Sequence, residues 1–341
     1  MLPAVNFPMP FVSRCHPDLE AARQRNLEWA REVGLVVNEA DARRLLLWDM
    51  AGIFAYWLPR ASREGLDLAI DTITVGVFLE EHMEASIDKP PEFVRDACAE
   101  MFAVIEPGGL QTPSTVLSAA FVTLWARLCE GAPLEWKRRV ALHWRWFIDA
   151  YIEEARWRGS RVPQTLEGYL KLRRESGFTH VMVDMSERAN GFTLPDRVRD
   201  IPSVARIITL TVDIVDVMND VCSLEKELAL GDVHNVVLVL QHERGLSQEA
   251  AIAESYEMMR RWCDEIIQLE ALIPQDCVRH GLSQVETENL LHFVRALKEG
   301  IGGQPDWYRT CGRYENASNP RAVAVGTTNP MRPLLVTPAH P

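Results

Sequence analysis

Asn219-Asp220-Val221-Cys222-Ser223-Leu224-Glu225-Lys226-Glu227 carries an amide, a hydroxyl and a carboxylate at successive intervals of four residues. On an α-helix a four-residue step turns the side chain by only about 40°, so the three oxygens share one face over about 12 Å of axis. The helix this implies spans 202–230, opened by Pro202 and closed at Gly231. Hard oxygen donors of this kind suit Mg²⁺ or Mn²⁺ better than zinc or copper. Lys226, three residues beyond Ser223, lies near the same face and is placed to reach a phosphate sharing that metal. The plain alternative is a solvated polar face on an acidic protein.

A second acidic group, Glu80-Glu81-His82-Met83-Glu84, follows directly on the apolar run 75–79. Glu80 and Glu84 stand one helical turn apart with Glu81 alongside. Three like charges so close repel, and a divalent cation would turn that repulsion into binding. A solvated helix end is again the plain alternative. A di-iron carboxylate bundle needs Glu-x-x-His pairs, and none of the nine histidines has a Glu three positions before it.

The 341 residues are 47% hydrophobic, enough for a substantial core. A net charge of −12 with no basic stretch excludes a nucleic-acid partner. Seven scattered cysteines form no Cys-x-x-Cys pair and read as reduced thiols. The first ten residues lack the pattern of a secretory leader, and the apolar run 207–218 is interrupted by Asp213 and Asp216, so a cytoplasmic protein without membrane insertion is expected. Periodicity predicts helices over 17–36, 42–58, 66–84, 113–130, 133–156, 166–174, 202–230, 247–272 and 283–300. Gly302-Gly303 and Pro305 are read as a loop before a short aromatic unit, 307–314, and strand signals are nearly absent. The fold class is therefore all-α: one helical bundle over 1–316, with its site between facing helices, and a disordered tail at 317–341.

The order Asn-Asp-x-x-Ser-x-x-Lys-Glu resembles the second metal motif of class I terpene synthases of the bacterial type. Glu80-Glu81-x-x-Glu84 resembles their aspartate-rich motif in position, although that motif usually begins Asp-Asp. Each Glu is one methylene longer, which would crowd or shift a bound metal by roughly 1 Å. Arg173 lies 46 positions before Asn219, as the family's diphosphate-sensing arginine does, and its planar fork can hold two phosphate oxygens. Ser176 and Gly177 match the linker and effector of the family's induced-fit element, with Gly177 suited to a helix break. Trp307 and Arg313-Tyr314 match the closing unit near the carboxyl end.

The resemblance implies a single class I terpenoid synthase bundle around a central apolar cavity. It implies metal contacts from Glu80, Glu81, Glu84, Asn219, Ser223 and Glu227 to Mg²⁺, three ions, with Mn²⁺ as a substitute. Diphosphate contacts would come from Arg173, Lys226, Arg313 and Tyr314; Phe78 and Trp307 would be walls, though both are equally readable as core. The implied reaction is ionisation and cyclisation of a linear prenyl diphosphate, farnesyl diphosphate foremost, with release of diphosphate. A diterpene synthase taking geranylgeranyl or a pre-cyclised C20 diphosphate, and a non-catalytic isoprenoid-diphosphate binder, remain open alternatives. So does a homodimer.

Overall fold

The computed structural model describes residues 7, 9–84, 91–160, 165–230 and 234–314, so the expected tail at 317–341 lies outside the described residues, as does the side chain of Glu84. Among the described residues the chain forms helices and no strand. They are α1 (Leu19–Glu32), α2 (Glu39–Trp48), α3 (Met50–Trp57), α4 (Arg63–Glu84), α5 (Pro91–Ile105), α6 (Val116–Cys129), α7 (Leu134–Ser160) and α8 (Leu166–Ser176). There follow α9 (Thr179–Arg188), α10 (Asp196–Arg199), α11 (Pro202–Leu230), α12 (Val236–Arg244), α13 (Gln248–Glu270), α14 (Ile273–Arg279) and α15 (Gln284–Thr310).

Helices α3, α4, α7, α8, α9, α11 and α15 contribute to the walls of one central hollow. Outside this ring, α13 packs on α11, α5 on α7, and α6 on α4. The composition of α4 follows from its place. From Leu66 to Leu79 nearly every residue is buried, because one face meets α1, α3 and α6 while the other faces the hollow. Charge begins at Glu80, where the helix emerges. On α9, the fully buried carboxylates of Asp184 and Glu187 are answered by His143 (2.5 Å) and Arg139 (2.9 Å) of α7, so a costly pair of charges is offset and α9 is pinned to α7.

Two expectations are corrected. The run 42–58 is not one helix: it breaks at Asp49, which takes the left-handed conformation at φ 52°. That strain is stabilised locally, since the Asp49 carboxylate caps Gly52 N–H at 3.1 Å and receives Arg23 at 2.8 and 2.9 Å. The second correction concerns 302–305, read as a loop but built into the last turns of α15, which runs on to Thr310. Its glycines serve close approach. A Cβ at Gly303 would sit 2.5 Å from the Tyr56 carbonyl, one at Gly302 2.7 Å from the Phe11 carbonyl, and one at Gly300 2.6 Å from the Trp57 ring. The bare helix face lets α15 lie directly on α3, and burial there outweighs the helix-breaking tendency of Gly and Pro.

Gly303→Ala is expected to lower stability by about 1–3 kcal/mol, because the opposing group is backbone and cannot swing away. Urea unfolding followed by circular dichroism measures this; an unchanged midpoint would contradict the close-packing argument.

Candidate active site

Two adjacent arginines clamp α8 onto α11. Arg174 forms a bidentate pair with Asp213 at 2.6 and 2.9 Å. Arg173 donates from Nε to Asp220 Oδ1 at 2.9 Å and from Nη2 to Asn219 Oδ1 at 2.7 Å. Burial alone would lower the Arg173 pKa, but Asp220 and Tyr169 oppose it and the net shift is well above the ordinary value. The second oxygen of Asp220 accepts from the Tyr169 hydroxyl and from the Val236 N–H at 3.0 Å. One carboxylate thus joins α8, α11 and the start of α12.

After Arg173 the chain breaks between α8 and α9. Gly177 itself is right-handed at φ −74°; the left-handed residue is Phe178, at φ 61°. The expectation that Gly177 supplies unusual backbone angles is therefore corrected. Glycine is required there by space: a Cβ would lie 2.1 Å from Asp216 Oδ1. That same oxygen accepts from Thr179 Oγ1 at 2.6 Å, and burial pushes the Asp216 carboxyl up to about 7, against Arg173 and the Thr179 hydrogen bond.

Asn219, Ser223 and Glu227 stand on one face of α11, as their spacing requires. Ser223 Oγ donates to Glu227 Oε1 at 2.6 Å, and Asn235 Nδ2 to Glu227 Oε2 at 2.8 Å. Asn235 also caps α12 and donates to the Asp220 carbonyl at 2.7 Å. The Asn219 amide donates to the hydroxyls of Tyr308 (3.1 Å) and Tyr314 (2.9 Å). Across the mouth, Arg313 Nη2 lies 2.9 Å from both Glu80 Oε2 and Glu81 Oε1, and Lys226 Nζ lies 3.2 Å from Glu81 Oε1. Burial would raise the Glu81 pKa; Lys226 and Arg313 outweigh it and hold the carboxyl below its usual range.

Beneath this belt the hollow encloses an empty volume of about 610 Å³, counting its open mouth. Its walls are largely apolar: Ile53 of α3, Ile73 and Val77 of α4, Phe147 of α7, Met182 of α9 and Trp307 of α15. Trp307 is fixed by its indole N–H, which donates to the Asp49 carbonyl at 2.9 Å. Phe78 does not line the hollow; it is buried against Trp48, with ring centroids 5.6 Å apart. Phe178 occupies that wall instead, its ring so close to Gly76 that a Cβ there would be 2.8 Å away.

Residues 71–265 match a family model described as "Terpene synthase family 2, C-terminal metal binding". The chain is 30% identical to pentalenene synthase of Streptomyces exfoliatus, over 91% of this chain and 93% of that one. The chain belongs to terpene synthase family 2. It is also 30% identical to 7-epi-alpha-eudesmol synthase ((2E,6E)-farnesyl diphosphate cyclizing) of Streptomyces viridochromogenes, over 92% of each. The crystal structure of an a-eudesmol synthase superposes with a TM-score of 0.80 at 27% identity, covering 90% of this chain and 99% of that one. The fold is the all-helical class I terpene synthase fold.

The donor set of this terpene synthase fits an oxygen-seeking cation. Among the described residues no three or more His, Cys, Asp or Glu gather into a metal cluster; Asn219, Ser223 and Glu227 form a mixed amide, hydroxyl and carboxylate set. Among the described residues Glu227 takes hydrogen bonds only from neutral donors, Ser223 and Asn235, and burial, with Asp220 adding, raises its pKa. A nearby cation would relieve that. The sequence reading passed over Tyr169, Asp216, Asp220, Asn235, Gln304 and Tyr308. Asp220 was visible within the motif itself, but its contacts reach residues 51 positions before and 16 after it, which spacing does not reveal. Among the described residues no helix is long and apolar enough to cross a membrane.

Asp220→Ala is expected to cost about 3–5 kcal/mol, because Arg173 and Tyr169 would remain buried without their acceptor. Thermal melting read by circular dichroism measures it; a loss below about 1 kcal/mol would show that Asp220 is not the joint of the three helices.

Proposed function

We propose that this terpene synthase ionises a linear prenyl diphosphate, farnesyl diphosphate first, and cyclises the resulting cation, with Mg²⁺ at the mouth. One observation carries the reading. Two cations, Lys226 and Arg313, rest on Glu80 and Glu81 directly across from Asn219, above an apolar hollow. A diphosphate placed there competes with the glutamates for the same two cations, and the released carboxylates become available as metal ligands. Asn219, Ser223 and Glu227 would hold metal from the facing side, in the number of three ions that the resemblance implies. Bound metal supplies charge neutralisation for the leaving diphosphate.

The remaining chemistry belongs to the chain's own residues. Arg173, Lys226, Arg313 and Tyr314 offer charged and neutral donors to diphosphate oxygens. Ser176 and Gly177 end α8 beneath Arg173, so movement of that guanidinium toward substrate is passed directly to the helix break. The ring faces of Phe147, Phe178 and Trp307 stabilise positive charge on the hydrocarbon. The walls between them exclude bulk water and fold the chain. The name of the eudesmol-forming relative specifies farnesyl diphosphate, which supports a fifteen-carbon substrate for this chain.

Purified protein incubated with geranyl, farnesyl or geranylgeranyl diphosphate, with Mg²⁺ or with EDTA, is expected to release diphosphate fastest from farnesyl diphosphate and only with metal. Gas chromatography should show a cyclic product, and Asn219→Leu should lower kcat/KM by about 100-fold or more. Turnover confined to geranylgeranyl diphosphate would move the substrate to the C20 class. Binding without turnover of any of the three would overturn the enzyme reading.

A further inference from the structure

The hollow contains polar groups that ionisation does not use. Asp216 is 2% exposed; its Oδ1 accepts from Thr179, but its Oδ2 has no hydrogen-bond partner among the described residues. Among the described residues, the amide oxygen and amide nitrogen of the fully buried Gln304 have no partner, and neither has the hydroxyl of Ser176. All three residues line the hollow. Unpaired buried polar atoms are uncommon in native proteins, and four of them on three residues of one apolar chamber call for an explanation.

Their register puts two of them at one level. Asn219 of α11 meets Tyr308 of α15 at 3.1 Å, and both helices run toward the mouth. Asp216 lies three residues before Asn219, and Gln304 four before Tyr308. Each is therefore one turn, roughly 5 Å, below that contact. A carboxylate oxygen and a primary amide thus project into the hollow just beneath the diphosphate belt. A base that only removed a proton from hydrocarbon would need the carboxylate and no amide. An acceptor, an amide and a hydroxyl together make the setting of a buried water, which takes two to four polar partners.

We propose that Asp216, Gln304 and Ser176 hold one water molecule in the hollow, and that this water ends the reaction by adding to the product cation, so that the chain makes a terpene alcohol. The inference rests on the cyclisation reading above. A lone pair of the water oxygen forms the new C–O bond to the cationic carbon. The O–H bond that breaks leaves its electron pair on oxygen, and its proton passes to Asp216 Oδ2. Cation, water and carboxylate become alcohol and carboxylic acid, with no oxidant or reductant required. Gln304 donates to the water oxygen until it attacks, and the Asp216 contact to Thr179 keeps the carboxylate aimed past Gly177.

The test is turnover in water enriched in oxygen-18, with products separated by gas chromatography and read by mass spectrometry, and with diphosphate release measured in parallel. The wild type is expected to give an alcohol carrying the heavy oxygen. Asp216→Asn and Gln304→Leu are each expected to lower the ratio of alcohol to hydrocarbon at least tenfold, a partition that a general loss of stability would not move; Gln304→Asn should restore part of it. If Asp216→Asn does not fold, the Gln304 variants and the wild-type label decide. Diphosphate release with hydrocarbon as the sole product, an unlabelled alcohol, or an unchanged ratio in the variants would overturn the water assignment and leave cyclisation standing. No diphosphate release from any linear substrate would overturn cyclisation and this inference with it.

Discussion

Asp220 is a carboxylate with no exposure to water, and the geometry of the site hangs on how its charge is accommodated. An unpaired charge at that depth would be prohibitive, so three donors from two parts of the chain converge on it: Arg173 and Tyr169 of α8, and the Val236 N–H of α12. Two of these anchors do a second job. The other arm of Arg173 fixes the Asn219 amide, and the turn that begins α12 brings Asn235 onto Glu227. The oxygens of Asn219, Ser223 and Glu227 are thereby oriented before any ligand arrives, at the cost of burying a charged residue that makes no call on substrate. Preorganisation of this kind is what lets donors act without rearranging during the reaction.

The ion pairs at the mouth are of a different character. Glu80 has 37% of its side chain exposed, Glu81 20% and Lys226 24%, whereas Arg313, which meets both carboxylates, is 3% exposed, so solvent reaches these pairs from the glutamate side. Their carboxylates stand where a diphosphate at the mouth would compete for the same cations, whereas Asp220 has no exposure. Depth sorts the carboxylates: Asp220, 1% exposed, builds the site, and Glu80 and Glu81, 37% and 20% exposed, stand at its mouth. The longer reach of Glu relative to Asp at 80 and 81 also has a structural counterpart, for these carboxylates span the gap to Lys226 and Arg313 directly.

Much of this was legible in the chain. The four-residue spacing of Asn219, Ser223 and Glu227 specifies a common helix face under any packing, and the change from apolar to acidic at Glu80 marks the point where α4 leaves the core. What stayed hidden were effects that arise only when helices touch. Gly300, Gly302, Gly303 and Pro305 look like a loop in one dimension, and become a smooth face once α3 lies on them. Asp49 looks like an interior helix residue until Arg23 and Gly52 capture its carboxylate. Phe78 and Phe178 could exchange roles on paper; the left-handed turn at Phe178 decides which ring reaches the hollow. Asp216 and Gln304 belong to no motif, and only their level in the barrel of helices links them.

The central claim is that two sets of oxygen donors, one on α4 and one on α11, come together on metal and a single diphosphate. Calorimetric titration of the protein with inorganic diphosphate, in Mg²⁺ and again in EDTA, tests it most directly. The account predicts that Mg²⁺ tightens binding at least tenfold and that replacing Glu227 by Gln removes most of this gain. Equal affinity with and without the metal, in a protein that binds diphosphate, would contradict it.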